Sequence, residues 1–252
     1  LESGVPISST DQAAKTTLYF TPYNGNSISL YDGSEWDLFS FSELSLSLSG
    51  YTSNTNYDIF IYNNSGTLTL ESTAWTNNTT RATSLTTQDG VYVKSGPTTR
   101  RYLGTIRITG TTGQCEDSLS RRLVWNYYNQ TKKRLYATLI ANHSYTSNTI
   151  RPWNNNTTLG QTRYDFVCGD KLGLDFSFNN WSRIMYVFLG LNSTTTQSTN
   201  LTYNQNTTQL YSHSLNDTML IEAGYSYIQA LENTDSASAV SYSVTINGGI
   251  LC

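Results

Sequence analysis

Two histidines, three cysteines and 18 carboxylates are the side chains of this 252-residue chain that could move a proton, attack a carbonyl or hold a metal. His143 and His213 sit in "ANHSYTSN" and "LYSHSLND", loop-like settings in which an imidazole reads as a surface residue rather than a general base. No G-x-S-x-G elbow, P-loop, Rossmann glycine fingerprint or H-E-x-x-H pattern occurs, so nucleophilic and phosphoryl chemistry have no motif behind them. His143, His213 and Cys168 share no metal-ligand spacing. Asp32, Glu35 and Asp37 in "DGSEWD" lack the EF-hand spacing and read as closing a turn. A glycosidase pair needs only two carboxylates about 5–10 Å apart, and Asp165, Asp170, Asp175, Glu222 and Glu232 are the residues that could supply it; most sit beside turns or strand ends. The residues therefore predict no catalytic centre, no metal site and no cofactor.

Recognition has more to work with. Trp75 in "STAWTNN", Trp153 in "IRPWNNN" and Trp181 in "NNWSR" are flanked by Asn, Ser and Thr, the mixture that stacks on a sugar and hydrogen-bonds it, and together they are the candidate carbohydrate-binding residues. Each alone also reads as an indole plugging a loop. Twelve asparagines fit Asn-X-Ser/Thr: Asn63, Asn77, Asn78, Asn129, Asn142, Asn155, Asn156, Asn180, Asn192, Asn200, Asn206 and Asn216. They carry glycan only on a glycosylating secretory route. Cys115 and Cys168 are the candidate disulfide, and Cys252 is either free or paired between subunits; three cysteines leave the redox compartment open.

The elements that must position these residues are strands. Only 13% of the chain is charged, against roughly 25% in a typical soluble protein, and Ser, Thr and Asn fill the polar positions instead. A 37% hydrophobic fraction with 19 Tyr, 8 Phe and 5 Trp is still enough for a core. The net charge of −3 offers no footprint for nucleic acid. Arg100-Arg101, Arg121-Arg122 and Lys132-Lys133-Arg134 read as solvated edges or intersubunit pairs. No apolar run is long enough to span a bilayer. "LESGVPISSTDQ" has no initiator Met or signal pattern and reads as the start of a processed or partial chain.

Period-two alternation dominates, which predicts an all-β fold. Asn24-Gly25 and Asp32-Gly33 separate strands near residues 18–20, 27–31 and 36–41 and predict two successive hairpins, a meander. In "SELSLSLSG" Leu44, Leu46 and Leu48 share one face, and Ile59, Ile61, Leu68 and Leu70 flank a turn at Asn63-Asn64-Ser65-Gly66. "CEDSLSRR" leaves room for one helical turn. Longer strands and Asn/Thr-rich loops begin near Asn129, which predicts two domains: a meander or barrel-like β module over 1–129 and a β-sandwich resembling a jelly roll over 130–252. So many strands with so little edge charge predict that copies of the chain cover each other.

The ordered segments "YFTPYNG", "LYDG", "YDIFIY", "GVYVKSG", "RRYLGTI" and "VWNYYN", spread over residues 16–136, resemble a module of bacteriophage virion and tail-fibre proteins. The resemblance implies a non-enzymatic structural or adhesion protein of the virion surface: a homo-oligomer, plausibly a trimer, in contact with other virion proteins and with host surface polysaccharide. The competing expectation is a glycosylated extracellular filament whose N-terminal stretch adds as a strand to a neighbouring copy.

Overall fold

The hairpin at Asn63-Asn64-Ser65-Gly66 illustrates how alternation becomes structure. In the computed structural model, which describes residues 1–198, 202–203, 211–235 and 239–251, strands Asn56–Asn64 and Thr67–Ala74 pair antiparallel, Ile61 facing Leu70 and Asn64 facing Thr67. Ser65 and Gly66 have φ of 51° and 94°, the left-handed turn that matches strand twist, and Asn63 Oδ1 accepts the Gly66 N–H at 2.7 Å. Ile59, Ile61 and Leu70 are thereby turned into the core.

Antiparallel pairing of this kind dominates the sheets, and the described residues contain no α-helix; one 3-10 turn covers Trp153–Asn155. The expected meander is corrected. Thr17–Phe20 pairs with Leu44–Ser47 rather than across Asn24-Gly25, and the hairpin of Ser27–Tyr31 with Trp36–Ser40 is nested between them. Leu18 faces Leu46, Phe20 stacks on Phe41 at 4.9 Å, and Thr21 Oγ1 donates to Glu43 at 2.6 Å. These apolar contacts outweigh the local turn signal. "CEDSLSRR" is a strand pair, Cys115–Ser118 with Arg121–Arg122, not a helical turn.

Thr67–Ala74, Asn56–Asn64, Arg101–Arg107, Val91–Lys94 and Leu85–Gln88 lie side by side in a six-stranded sheet, with Val124–Asn126 also on Arg101–Arg107. After residue 130, setting aside the short Arg151–Pro152, eight strands follow: Lys132–Ser144, Arg163–Cys168, Leu172–Arg183, Tyr186–Leu191, Thr202–Tyr203, Tyr211–Ile221, Gly224–Asn233 and Val240–Leu251. In that chain order the first, eighth, third and sixth form a four-stranded sheet, and the second, seventh, fourth and fifth lie side by side in another. "DTMLIEAGYSYIQALE" thus divides at Glu222 into strands of different sheets.

Hydrogen bonding crosses the expected boundary near residue 130. Arg163–Cys168 runs parallel to Arg121–Arg122, which leads on through Cys115–Ser118 to Gln12–Lys15, so one eight-stranded sheet draws on both halves. The larger core cluster does the same. It joins Phe176, Phe178 and Ile246 of the four-stranded sheet to Tyr164, Phe166 and Ile228, and also holds Phe60, Tyr102 and Trp125 from the first half. A second cluster around Leu30, Leu48, Ile61 and Ile106 lies wholly in the first half.

Candidate functional site

The carboxylates that could have done chemistry are already engaged. Asp165 accepts from Arg163 Nε at 2.6 Å and Tyr225 Oη at 2.9 Å; burial, chiefly, raises that phenol to about 12. Glu232, fully buried, accepts from Arg151 Nε and the Asn154 N–H through one oxygen at 2.9 and 3.0 Å, while His143 Nε2 lies 2.7 Å from the other. Asp175 pairs with Lys132 at 2.6 Å and Glu222 with Lys171, both on the surface, and Asp170 caps the Lys171 N–H at 2.7 Å. The five lie on different strands and turns, and each is engaged, Asp170 and Glu222 through the same Lys171. Asp32 Oδ1 accepts the Ser34 and Glu35 N–H groups at 2.6 and 2.8 Å and closes its turn; those backbone bonds lower its carboxyl.

His143 is the residue the sequence misplaced. It lies on Lys132–Ser144, nearly buried, its ring edge-on to Trp153 at 4.5 Å. Alternation over "LYATLIANH" was the available signal: it aligns His143 with Leu135, Ala137 and Leu139. The His213 side chain lies outside the described residues. The basic runs are largely paired inside the chain: Arg100 with Glu71, Arg121 with Glu116, and a nearly buried Arg122 sharing Asp117 with Lys133, which corrects the solvated-edge reading for Arg122.

Two of the three tryptophans are corrected as sugar-binding candidates. Trp75 is buried beneath the Arg81 guanidinium, 4.4 Å from its ring, and Trp153 is buried with its N–H donating to Ser241 Oγ at 2.9 Å. Neither ring has a face free for a ligand. Trp181 is 51% exposed. Trp153→Phe is expected to cost about 1–3 kcal/mol, because Ser241 Oγ loses one of its two donors and the core loses part of the indole's bulk. Trp181→Ala should stay within about 0.5 kcal/mol, and thermal denaturation of the pair checks the ordering.

The Cys115–Cys168 disulfide is also corrected: both thiols are free and buried, in different core clusters, and burial pushes each up to about 12. Cys252, Asn200 and Asn206 lie outside the described residues. Asn180 is corrected as a glycan acceptor, since it is buried and its Nδ2 donates to Ser243 O at 2.8 Å and Ser241 Oγ at 3.1 Å. Asn63, Asn77, Asn78, Asn142, Asn155, Asn192 and Asn216 are exposed, and Asn129 and Asn156 half-buried.

One surface open to a partner is the outer face of the four-stranded sheet. Along Leu172–Arg183 the alternation buries Leu174, Phe176, Phe178 and Asn180 and turns Asp175, Ser177, Asn179 and Trp181 outward. Thr245 and Asn247 on the adjacent Val240–Leu251, and Thr138 and Ile140 on Lys132–Ser144 beyond it, follow the same period. Ile140 at 84%, Leu220 at 62% and Leu251 at 43% exposure are bare apolar groups on it besides Trp181. A shallow groove of about 530 Å³ runs over Asp175, Ser177, Asn216, Asn247 and Gly249. Gly249 lets the Lys132 stem lie on bare backbone, where a Cβ would come within 2.5 Å of Lys132 Cε. The face offers hydroxyls, amides and four apolar groups, a surface suited to contact.

No family model matches the chain, and no curated protein is similar to it. Among solved structures, the insecticidal delta-endotoxin Cry8Ea1 from Bacillus thuringiensis aligns with 96% of the chain at 8% identity and a TM-score of 0.24. The chain spans about half that protein's length, 53%.

Proposed function

We propose that the chain is a non-enzymatic structural and adhesion protein of a virion surface, in a tail fibre, spike or capsid-associated appendage, and that copies meet through the outer face of the four-stranded sheet. The observation that carries this is the face itself: broad, dominated by hydroxyls and amides, and bearing one exposed apolar side chain on each of its four strands, Ile140, Leu251, Trp181 and Leu220. Four strands about 4.8 Å apart and some eleven residues long at about 3.3 Å each give roughly 700 Å² per copy. That approaches the roughly 800 Å² each partner buries in a standard stable interface. Lys132 and Asp175 pair with each other on this face, so covering it strands less charge than unpaired ions would. We read the strand order of the second half as a jelly roll, an architecture common in capsid and lectin domains.

Light scattering of the purified chain tests this. The wild-type protein is expected to be a homo-oligomer, and Ile140→Glu with Trp181→Glu to give a folded monomer with wild-type circular dichroism. A wild-type monomer at micromolar concentration, or an assembly indifferent to both glutamates, sinks the proposal. One observation favours the filament reading: Tyr211–Ile221 is an eleven-residue edge strand whose ladder partner among the described residues is Leu172–Arg183 alone. Against it, the would-be donor segment is occupied within its own chain. Ser3 Oγ and the Gly4 N–H donate to Glu43 at 2.5 and 2.6 Å, and Gln12–Lys15 is paired with Cys115–Ser118. Long filaments by electron microscopy would favour that alternative.

A further inference from the structure

We infer that the cavity between the N-terminal segment and the nested hairpins binds a carboxylated pyranose, so that the adhesive reading above, on which this rests, acquires a site and a ligand class. The cavity has a volume of about 420 Å³, within the roughly 300–1,000 Å³ of small-molecule sites. Phe20 and Ile28 form part of its apolar lining, and Phe20 is held flat by its stack on Phe41. Tyr23 and Tyr128 also line it and are 48% and 45% exposed, unlike the tryptophans that were expected to do this work. Exposed phenol rings give a sugar its stacking face and a hydroxyl partner in one side chain.

Arg101 supplies the charge. Its Nη1 donates to Ser29 O at 2.7 Å and its Nε to Tyr128 Oη at 3.1 Å, with the guanidinium over the Tyr128 ring at 4.6 Å. The cation is therefore fixed in place before any ligand arrives. Arg81, Arg100, Arg121, Arg122, Arg151 and Arg163 all pair with carboxylates, but among the described residues Arg101 pairs with none. Lys133, also on the wall, is already engaged, sharing the wall residue Asp117 with Arg122. Asn126 spends its oxygen on the Tyr128 and Asn129 N–H groups at 2.9 and 3.1 Å, which leaves its NH₂ to donate to ring hydroxyls. A preformed cation beside two stacking rings and an amide donor complements a hydroxylated ring carrying one carboxylate. An uncharged sugar would leave the cation without its counter-charge.

Titration calorimetry of the full chain with oligogalacturonate, sialyllactose and their neutral counterparts tests the assignment and separates uronic from sialic acids. At least one carboxylated sugar is expected to bind better than its neutral partner. Arg101→Gln should weaken it about tenfold or more and erase the preference for acid, Arg101→Lys should restore part of that preference, and Tyr128→Ala should weaken acidic and neutral sugars alike. No binding of any carboxylated sugar at about 10 mM, or wild-type affinity in both Arg101→Gln and Tyr128→Ala, overturns the assignment. An assembled protein that binds none of these sugars removes the site and leaves the assembly standing; a monomer that binds them does the reverse.

Discussion

Arg81→Met is expected to lower stability by about 3–5 kcal/mol at neutral pH, because it strips a buried carboxylate of its cation. Asp58 has a side chain 2% exposed and accepts from Arg81 Nε and Thr105 Oγ1, both at 2.7 Å. Arg81 also donates from Nη2 to Gly169 O at 2.6 Å, which ties the six-stranded sheet to the second half. Methionine keeps the stem's bulk and leaves Asp58 with Thr105 alone. The loss should depend on pH in a stated direction. Burial raises the Asp58 carboxyl above its ordinary value, and Arg81 and Thr105 pull it back without reversing the shift. A raised folded pKa means that the native state holds the proton more tightly, so stability falls as pH rises from the unfolded value through the folded one. Removing Arg81 extends that window upward, so the deficit should shrink on acidification. Urea denaturation at pH 5 and pH 8 measures it, and Asp58→Asn in the same chain should recover most of the loss. Equal deficits at both pH values, or no recovery in the double variant, would show that the ion pair is not the cause.

Gly224→Ala should cost a similar 3–5 kcal/mol by a different route. Gly224 has φ of +127°, a conformation open essentially to glycine, and a Cβ there would stand 2.3 Å from the Asn78 carbonyl oxygen and 3.1 Å from Thr79 Cα. That carbonyl cannot retreat cheaply. It accepts the Tyr225 N–H and Asn56 Nδ2, each at 2.9 Å, so one atom holds the second-half strand to the first-half hairpin. Arg107, 3.7 Å over the Tyr225 ring, closes the same joint. Gly110→Ala, with nothing within 4 Å of its Cβ, is the control and should stay within about 0.5 kcal/mol. Because Arg81 and Gly224 both sit where the halves meet, circular dichroism and tryptophan fluorescence should report one transition in the wild type. Two separated transitions would mean that the halves fold as independent domains.

Alternation and turn chemistry made the strands legible: Leu44, Leu46 and Leu48 face inward while their serines face out, and Asn63-Gly66 turns where its residues say it must. The outer face of Leu172–Arg183 could be read from the same period. Strand partnership could not. Asn24-Gly25 looks like a hairpin, yet Thr17–Phe20 pairs with a strand more than twenty residues away. The fate of the tryptophans was equally hidden, since the Asn-rich flanks of Trp153 and Trp181 are alike while one ring is sealed and the other open. The cavity's Tyr23, Arg101 and Tyr128 are separated by long stretches of chain and carried no shared motif.

The amino-acid sequence by itself determined that this chain is all-β, and which side of most strands is apolar, because side-chain period and turn preference act between residues a few positions apart. The tertiary structure alone decided which strands lie together, that one sheet and one core span both halves, and which indoles, histidines and carboxylates are closed to solvent. Those outcomes depend on burial and pairing between segments distant along the chain, and the free energy of such contacts is set by what the rest of the fold brings against each residue.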